Sequence, residues 1–300
     1  MRSGYFFKKI MMTVVLLGMT KVFAQSEPHP VIGLVVDKKT NTVHVVDFDK
    51  TPLVISKSYH VTLGLVPGDK EKEGDKKTPE GIYFFDEIRR PPRLQPKFGR
   101  MAITMNFPNT WDKFVGHTGS GIWLHSTDEP DRLNKNFDSL GCVVVNNDQM
   151  AQISSDINYR TSPVAIYEDF ATIPEVLSPE RMSNVKKTIT DWAESWSKKD
   201  LDKYMTFYHP KFKSAGKDIK MWRDYKGQLN RQYAVIKVDI INLTIIPHPK
   251  YDVALFTQVY ESRNGSGAVV KHASGAKIIY LAKDEGAPKI LSEEVRNVKF

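Results

Sequence analysis

A single thiol is the residue with the clearest chemical potential in this chain. Cys142 is the only cysteine of the 300 residues and lies in the segment SLGCVVV, residues 139–145. With no second cysteine the chain forms no internal disulfide, so in an oxidising compartment this thiol is either buried and inert or kept for reactivity. The residues that flank it favour reactivity.

A cysteine nucleophile needs a base, because only a few per cent of a free thiol with a pKa of about 8.5 is ionised at neutral pH. His125 is the best candidate, since it ends the strand-like run GIWLH at 121–125, seventeen positions before Cys142. Two neighbouring strand ends joined by a loop would bring the imidazole beside the sulfur. Gly141 lets a substrate carbonyl approach the backbone, and we expect the amides of Gly141 and Cys142 to form an oxyanion hole. Ser139 is expected to hydrogen-bond to this loop or to the substrate.

Each of these residues also has a structural interpretation. A lone cysteine beside valines is often a small core residue, and a histidine at a strand end can be a hydrogen-bonded structural group. His117 is expected either to line the cleft or to lie in a surface turn. The charge-dense segment 69–77 is expected to be a mobile solvated loop that at most gates the cleft.

Short strands are the elements that would position these residues. β-Branched or aromatic runs separated by Gly, Pro, Asn and Asp are typical of strands joined by turns, and they predict strands at 31–36, 42–46, 81–85, 101–105, 121–125 and 164–167. Their spacing predicts a β-sandwich or barrel-like domain. One helix is predicted after the cysteine, capped by Asn146 or Asn147, with Met150 and Ile153 on its apolar face.

A linker at 170–179 and an α+β domain at 180–300 are predicted to follow. Apolar residues recur at intervals of three and four, which predicts a helix with one apolar stripe, at Met182, Val185, Ile189, Trp192 and Trp196. Two further helices are predicted near 201–208 and 219–233, and four strands at 234–246, 251–262, 269–282 and 290–298. Helices followed by an antiparallel sheet make an α+β unit.

The first 24 residues predict export. Basic residues at positions 2, 8 and 9 precede an apolar stretch at 10–19, and small residues precede Gln25. The apolar stretch is shorter than the roughly 20 residues that a transmembrane helix needs, so we expect a cleaved signal peptide at 1–24 and no stable membrane span afterwards. An uncleaved anchor is the alternative. The expected location is the periplasm or cell envelope.

The charge of the chain favours no nucleic-acid partner. The formal net charge is +8, and removal of Arg2, Lys8, Lys9 and Lys21 with the signal leaves +4. Such an excess suits an anionic polymer, but nucleic-acid binding would require Lys and Arg clustered on one face.

Three motifs in the same order resemble the L,D-transpeptidase (YkuD-type) catalytic domain. They are KTPEGIY at 77–83, NFPN at 106–109, and HS at 125–126 followed by the S-x-G-C-V that begins at Ser139. The resemblance covers residues 30–169. It implies a mixed fold whose first part is a β-rich sandwich or barrel with one helix, acting on peptidoglycan stem peptides without a metal or organic cofactor.

The resemblance also implies roles for individual residues. Cys142 would attack the carbonyl of the diaminopimelate residue at stem position three and expel the terminal D-alanine, leaving a thioester. His125 would act as general base and then acid, oriented by the backbone carbonyl of Ser126, with Gly141 completing the catalytic set. Substrate contacts are expected from four residues, Gly121, His117, Ser139 and Asn146.

Two positions depart from the family pattern. Leu140 stands where a histidine is common before the Gly-Cys pair, and Val144 stands where Arg or Asn is usual two positions after the cysteine. Loss of that polar side chain leaves recognition of the substrate carboxylate open among several residues, Asn146, Arg89, Arg90, Arg93 and Lys113.

The second domain resembles the ketosteroid-isomerase-like (nuclear-transport-factor-like) cone fold. Its pairing with the first domain resembles L,D-carboxypeptidases that trim tetrapeptide stems to tripeptides and influence cell shape in curved and helical bacteria. We therefore favour hydrolysis. The alternatives are an L,D-transpeptidase that forms crosslinks or protein attachments, a hydrolase of a protein-to-wall linkage, and, from another class, a non-catalytic cell-wall-binding protein.

The role of the second domain is left open among a small ligand in its pocket, a partner, and homodimerisation. Some members of such cone folds use the enclosed pocket for catalysis and others only for binding. The candidate pocket residues are Tyr204, Tyr208, His209, Asp239 and His272.

Overall fold

The computed structural model describes residues 30–173, 178–283 and 286–296. The predicted signal peptide and part of the predicted linker lie outside the described residues, and the domain boundaries stay predictions. In the described ranges, the helices are all too short or too polar to cross a membrane.

The N-terminal domain is built mainly from strands. Their bounds are β1 (Ile32–Asp37), β2 (Thr42–Asp47), β3 (Val54–His60), β4 (Leu63–Gly64), β5 (Gly81–Arg89), β6 (Ala102–Met105), β7 (Trp123–His125), β8 (Phe137–Ser139), β9 (Val143–Val144) and β10 (Pro163–Tyr167). The main sheet has the order β3-β2-β1-β10-β5-β6-β7-β9, and β4 pairs with β8. The helices are α1 (Thr110–Val115) and α2 (Asn147–Asp156), with short 3₁₀ helices at Pro96–Phe98, Pro130–Asn134 and Phe170–Thr172.

Strand β1 has no polar side chain from Ile32 to Val36 because the sheet is covered on both faces. Leu34 and Val36 pack into the core that also holds Ile153 of α2. Val35 points to the opposite face and packs with Tyr251 of the C-terminal domain. Alternate side chains of a strand point to opposite faces, so a strand buried on both sides is read as a continuous hydrophobic run.

The structure contains a helix in this domain that the sequence analysis missed. Asn109 caps α1, since its Oδ1 accepts the Asp112 N–H at 2.9 Å while the Asp112 carboxylate accepts the Asn109 N–H at 2.9 Å. This reciprocal pair is a capping box. The expectation of one helix was therefore wrong, because a helix of six residues is too short to show hydrophobic periodicity.

The C-terminal domain confirms the predicted order of helices followed by an antiparallel sheet. Its elements are α3 (Pro179–Ser197), α4 (Leu201–Thr206), β11 (Lys213–Ser214), β12 (Lys217–Asp218), α5 (Ile219–Gln232), β13 (Val235–Pro247), β14 (Tyr251–Arg263), β15 (Val269–Ala282) and β16 (Lys289–Arg296). In the described residues, β13 to β16 form a four-stranded sheet in sequential order. The stripe predicted on α3 faces the core, where Ile189 and Trp192 are fully buried.

The two domains share one hydrophobic core and a set of buried hydrogen bonds. The hydroxyl of Tyr251 on β14 accepts the backbone N–H of Ile82 on β5 at 2.6 Å and the side-chain amide of Asn109 at 3.1 Å. Trp111 of α1 stacks on the same tyrosine ring, with 5.0 Å between centroids. The C-terminal domain therefore contacts both strand β5 and the capped helix α1 of the N-terminal domain.

Removal of this hydroxyl tests how tightly the domains are joined. We expect Tyr251→Phe to lower the free energy of unfolding by about 1–3 kcal/mol, because the buried Ile82 and Asn109 donors lose their acceptor. Urea denaturation measures the change. The matched control is Tyr159→Phe, an exposed residue whose hydroxyl accepts the Nε–H of its neighbour Arg160, and we expect it to change stability little. An equal effect of both substitutions would contradict the assigned role of Tyr251.

Candidate active site

The pairing of β7 with β9 brings Cys142 and His125 to one face of the sheet. The strands run parallel with Leu124 opposite Val143 and His125 opposite Val144. Leu124 and Val143 both point into the apolar core. Because side chains alternate along a strand, His125 and Cys142 both point away from that core, and the parallel register offsets them diagonally by two residues.

The imidazole of His125 is held in one orientation. Its Nδ1 lies 2.7 Å from the backbone oxygen of Ser126, and a carbonyl only accepts, so Nδ1 carries the proton and Nε2 keeps its lone pair. The Ser126 hydroxyl accepts the Arg100 and Met101 N–H groups at 2.9 and 3.2 Å, which positions that carbonyl. The rings of Phe98 and His125 are nearly perpendicular, with 5.0 Å between their centroids. This hydrogen bond has the geometry that the family resemblance implied.

Burial keeps both candidate catalytic groups uncharged at neutral pH. His125 is 2% exposed, and burial lowers the pKa of its imidazole to about 4 against the opposing effect of the Ser126 carbonyl. Burial of the sulfur raises the pKa of the Cys142 thiol to about 11, although the residue as a whole keeps some exposed surface. The Cys142 Sγ contacts the Gly121 oxygen at 3.5 Å. The resting site thus holds a neutral thiol and a neutral imidazole on the same face of the sheet.

The loop that carries the thiol is stabilised by its own hydrogen bonds. The Ser139 hydroxyl donates to the Cys142 oxygen at 2.7 Å and accepts the Gly141 N–H at 3.1 Å. Its one proton therefore serves the loop, and the substrate contact expected of Ser139 is replaced by a structural one. The Gly141 amide is likewise engaged, which corrects the expectation that it forms part of an oxyanion hole.

Gly141 is required at its position for two reasons. Its φ of +126° lies in a region that L side chains rarely adopt, and a Cβ there would stand 2.6 Å from the Lys77 backbone oxygen. The close approach joins the thiol loop to the segment 69–77. Gly121 has a φ of +73° with open space beside it, so the predicted cleft residue lies next to the thiol with nothing in the described residues covering it.

The charged segment 69–77 is exposed over most of its length, as predicted, and hydrogen bonds centred on Asp75 hold the loop together. The ammonium of buried Lys70 donates to the Asp75 carboxylate at 2.7 Å. That carboxylate also accepts the backbone N–H groups of Glu71, Lys72 and Lys77. Burial alone would raise its pKa, but Lys70 and the three amides lower the pKa of Asp75 to about 2.

Two of the expected substrate contacts are structural in this fold. The Asn146 side chain caps α2 by accepting the Gln149 N–H at 2.7 Å, in a capping box with Gln149. His117 lies against the Asp112 carboxylate, 3.4 Å from Nδ1 to Oδ1, where its backbone also closes α1. Both side chains therefore have structural roles at helix ends, and their contact with substrate stays a prediction.

Leu140 and Val144 are apolar residues at positions where the family pattern has polar side chains. Val144 is fully buried and offers no polar atom to a ligand, whereas Leu140 is 69% exposed beside the thiol. The charges that act on both Cys142 and His125 are instead those of Arg132 and Lys97. The sequence analysis missed both residues; the available signal was that Arg132 lies in the segment joining His125 to Cys142.

A second buried charged cluster lies inside the C-terminal domain. Glu293 pairs with Lys277 and accepts the Tyr208 hydroxyl, which in turn contacts Tyr204. Lys226 is buried with its ammonium over the Trp196 ring, and burial lowers the pKa of that lysine well below its usual value. Of the predicted pocket residues, Tyr204 and Tyr208 belong to this cluster.

The other three predicted pocket residues lie elsewhere. His209 packs its ring edge against Phe114 of α1. Asp239 pairs with Lys237, and the half-exposed His272 lies 3.8 Å from Glu261. These three assignments to the pocket were therefore wrong.

The comparisons with known proteins agree with this architecture. Residues 32–166 match the L,D-transpeptidase catalytic domain (YkuD), and residues 184–294 match the Cds6 C-terminal NTF2-like domain. The chain is similar to Bd1075 of Bdellovibrio bacteriovorus, with 29% identity, a TM-score of 0.72, and coverage of 92% of this chain and 95% of that one. It shares a fold with the helical cell shape determining protein Pgp2 of Campylobacter jejuni, with 22% identity, a TM-score of 0.65, and coverage of 88% and 91%. No curated protein matches the sequence.

The described residues thus form a β-rich domain with few helices, followed by an α+β domain with a four-stranded antiparallel sheet. The chain combines an L,D-transpeptidase catalytic domain, of a family that modifies peptidoglycan and acts on its stem peptides, with a C-terminal NTF2-like domain.

The reactivity of the thiol with pH tests the electrostatics of the site. We expect the rate of Cys142 alkylation by iodoacetamide to rise about tenfold per pH unit from pH 7 to about 10, because the thiolate fraction grows below a pKa of about 11. Mass spectrometry of the single-cysteine protein measures the rate. A rate that levels off near pH 7 would mean that the thiol is already ionised there, against the geometry described.

The buried neutral imidazole also predicts acid sensitivity. Its pKa is about 6.5 unfolded and about 4 folded, so the unfolded chain binds the extra proton and stability is lost as pH falls through this window. We expect His125 to account for about 3 kcal/mol of lost unfolding free energy between pH 7 and pH 4.

Comparison of two variants isolates this contribution. Urea denaturation of His125→Asn at pH 7 and pH 4 should show a smaller difference between the two pH values than the parent protein shows. The exposed His60→Asn serves as the matched control and should keep the parent difference. Part of the acid loss remains in both, since burial also lowers the pKa of His248 to about 3.

Proposed function

We propose that this protein is an exported cysteine hydrolase that removes the terminal D-alanine from peptidoglycan tetrapeptide stems. The observation that carries the proposal is the 2.7 Å hydrogen bond from His125 Nδ1 to the Ser126 oxygen, on the sheet face that also presents Cys142. That bond leaves Nε2 as the only basic atom of the ring, which is the requirement for a general base.

The first step is attack of the Cys142 sulfur on the carbonyl of the residue before D-alanine. His125 Nε2 takes the thiol proton as the S–C bond forms, and then gives it to the departing D-alanine nitrogen as the C–N bond breaks. The product is a thioester on Cys142 and free D-alanine. Because both groups are neutral at rest, proton transfer accompanies attack and no preformed ion pair is needed.

The second step decides the class of enzyme. Water activated by His125 would hydrolyse the thioester to a tripeptide, whereas an amine at the same position would form a crosslink or a protein attachment. We favour water because the domain pair matches along its length a helical cell shape determining protein and Bd1075, and trimming of stems changes the wall without adding bonds. The proposed location, the periplasm or cell envelope, follows from the basic and apolar pattern of residues 1–24.

Incubation of the purified protein with disaccharide tetrapeptide tests the reaction. We expect tripeptide and free D-alanine by mass spectrometry, and at least a thousandfold lower rate for Cys142→Ala because no nucleophile remains. We expect His125→Asn to lower the rate by about 10²–10⁴-fold, the usual contribution of a general base. The control His60→Asn should retain the parent rate.

The products also separate the alternatives. Crosslinked dimers or exchange of D-alanine for another D-amino acid would show an amine acceptor and contradict hydrolysis. An unchanged mixture, together with binding to intact wall material by parent and Cys142→Ala alike, would favour a non-catalytic wall-binding protein. Release of protein from a protein-to-wall linkage in place of D-alanine would identify a different bond.

A further inference from the structure

Two cations near the candidate catalytic pair have no assigned role. Arg132 lies in the 3₁₀ helix between β7 and β8, and its guanidinium bridges two backbone oxygens, that of Lys97 at 3.3 Å and that of Asp138 at 3.0 Å. Asp138 belongs to β8, which leads into the thiol loop. The arginine thereby joins the segment before β6 to the segment before Cys142.

Arg132 keeps binding capacity after these contacts. Its Nε lies 3.5 Å from the Asp138 carboxylate, so the described partners use at most three of the five guanidinium N–H groups. One N–H on each terminal nitrogen is left, which is the fork that matches a carboxylate. The Arg132 side chain is 18% exposed, so a ligand bound near Cys142 can reach it.

Lys97 adds a second positive charge near the candidate catalytic pair. Its ammonium lies 5.0 Å from the centroid of the Phe98 ring. The centroid of that ring lies 5.0 Å from that of the His125 ring and 4.8 Å from that of the Trp123 ring. Lys97 is exposed, and within the described residues no carboxylate pairs with it. Its charge and that of Arg132 lower the pKa of both Cys142 and His125, which places the two cations within electrostatic reach of the reacting atoms.

Three basic residues considered from the sequence have other surroundings. Arg89 pairs with Glu87 at 2.9 Å and stacks on the Trp123 ring. Arg90 contacts the Met101 sulfur, and Lys113 lies on α1. None of the three appears among the charges that act on Cys142.

We propose that Arg132 and Lys97 bind a carboxylate of the stem peptide beside Cys142, in place of the polar residue that Val144 lacks. This inference rests on the proposed function for the identity of the peptide, but the binding of a carboxylate at this position does not. The stem offers two such groups, the terminal carboxylate of D-alanine and the free carboxylate of diaminopimelate, and both suit an arginine fork with a neighbouring ammonium.

A pair of alkylating agents that differ only in charge tests the cations without any substrate. Iodoacetate and iodoacetamide react at the same sulfur, so the ratio of their rates at pH 9 and low salt reports the local charge. We expect this ratio to fall about threefold or more in Lys97→Gln and in Arg132→Gln, because each removes one nearby positive charge. High salt should shrink the difference between parent and variants.

Two further variants separate charge from folding. Arg132→Lys keeps the charge but loses the fork, and we expect it to retain most of the parent ratio. Lys220→Gln, on α5 of the other domain, makes the same change in net charge at an exposed position and should leave the ratio unchanged. An unchanged ratio in both Lys97→Gln and Arg132→Gln, or an equal fall in Lys220→Gln, would overturn the proposal.

Amidated tetrapeptides identify which carboxylate is bound. We expect amidation of one carboxylate, either the terminal one or that of diaminopimelate, to raise KM for the parent at least tenfold and to have little further effect in Arg132→Gln. Equal KM values for the parent peptide and both amides would overturn the proposal for the peptide. Absence of turnover with an intact alkylation ratio would instead contradict the proposed function and leave the carboxylate position standing.

Discussion

The parallel pairing of β7 with β9 is the constraint on which the site depends. Parallel neighbours cannot be joined by a tight turn, so the chain leaves the sheet after His125 and returns before Val143. A slip of one residue would turn Cys142 into the apolar core, and the buried side chains of Leu124 and Val143 oppose that slip. The connecting segment serves the site as well, because it carries Arg132 and the Ser139 hydroxyl that shapes the thiol loop.

Burial governs the chemistry that this geometry permits. The same low-dielectric surroundings raise the pKa of the thiol and lower that of the imidazole, so charge separation between them is disfavoured until a substrate arrives. A neutral thiol also oxidises more slowly than a thiolate, which suits a chain whose only cysteine is needed for chemistry. The two neighbouring cations stabilise a thiolate and oppose an imidazolium, so they act on the two partners in opposite senses.

The fold was largely predictable because its signals are local. Runs of β-branched and aromatic residues predicted the strands around β1, β5 and β10, and helical periodicity predicted α3 with its two tryptophans. Cys142 and His125 were found because their flanking glycines and serines form a recognisable spacing. Arg132 and Lys97 were not found, because their approach to the sulfur depends on how the connecting segment folds back. The exposure of the segment 69–77 was predictable from its charges, but the pairing of buried Lys70 with Asp75 was not, because composition does not show which charges meet.

The common core of the two domains has a consequence for how such a chain can change over generations. Val35, Ile82 and Phe84 of the catalytic sheet are fully buried in one cluster with Tyr251 and Val253 of the neighbouring domain. Deletion or exchange of either domain would expose the apolar surface of the other domain to water. Recombination can therefore supply a new second domain only if that domain brings a complementary aromatic surface. Substitutions on one side of these contacts are expected to be matched by substitutions on the other side. The two domains are therefore inherited as a single unit.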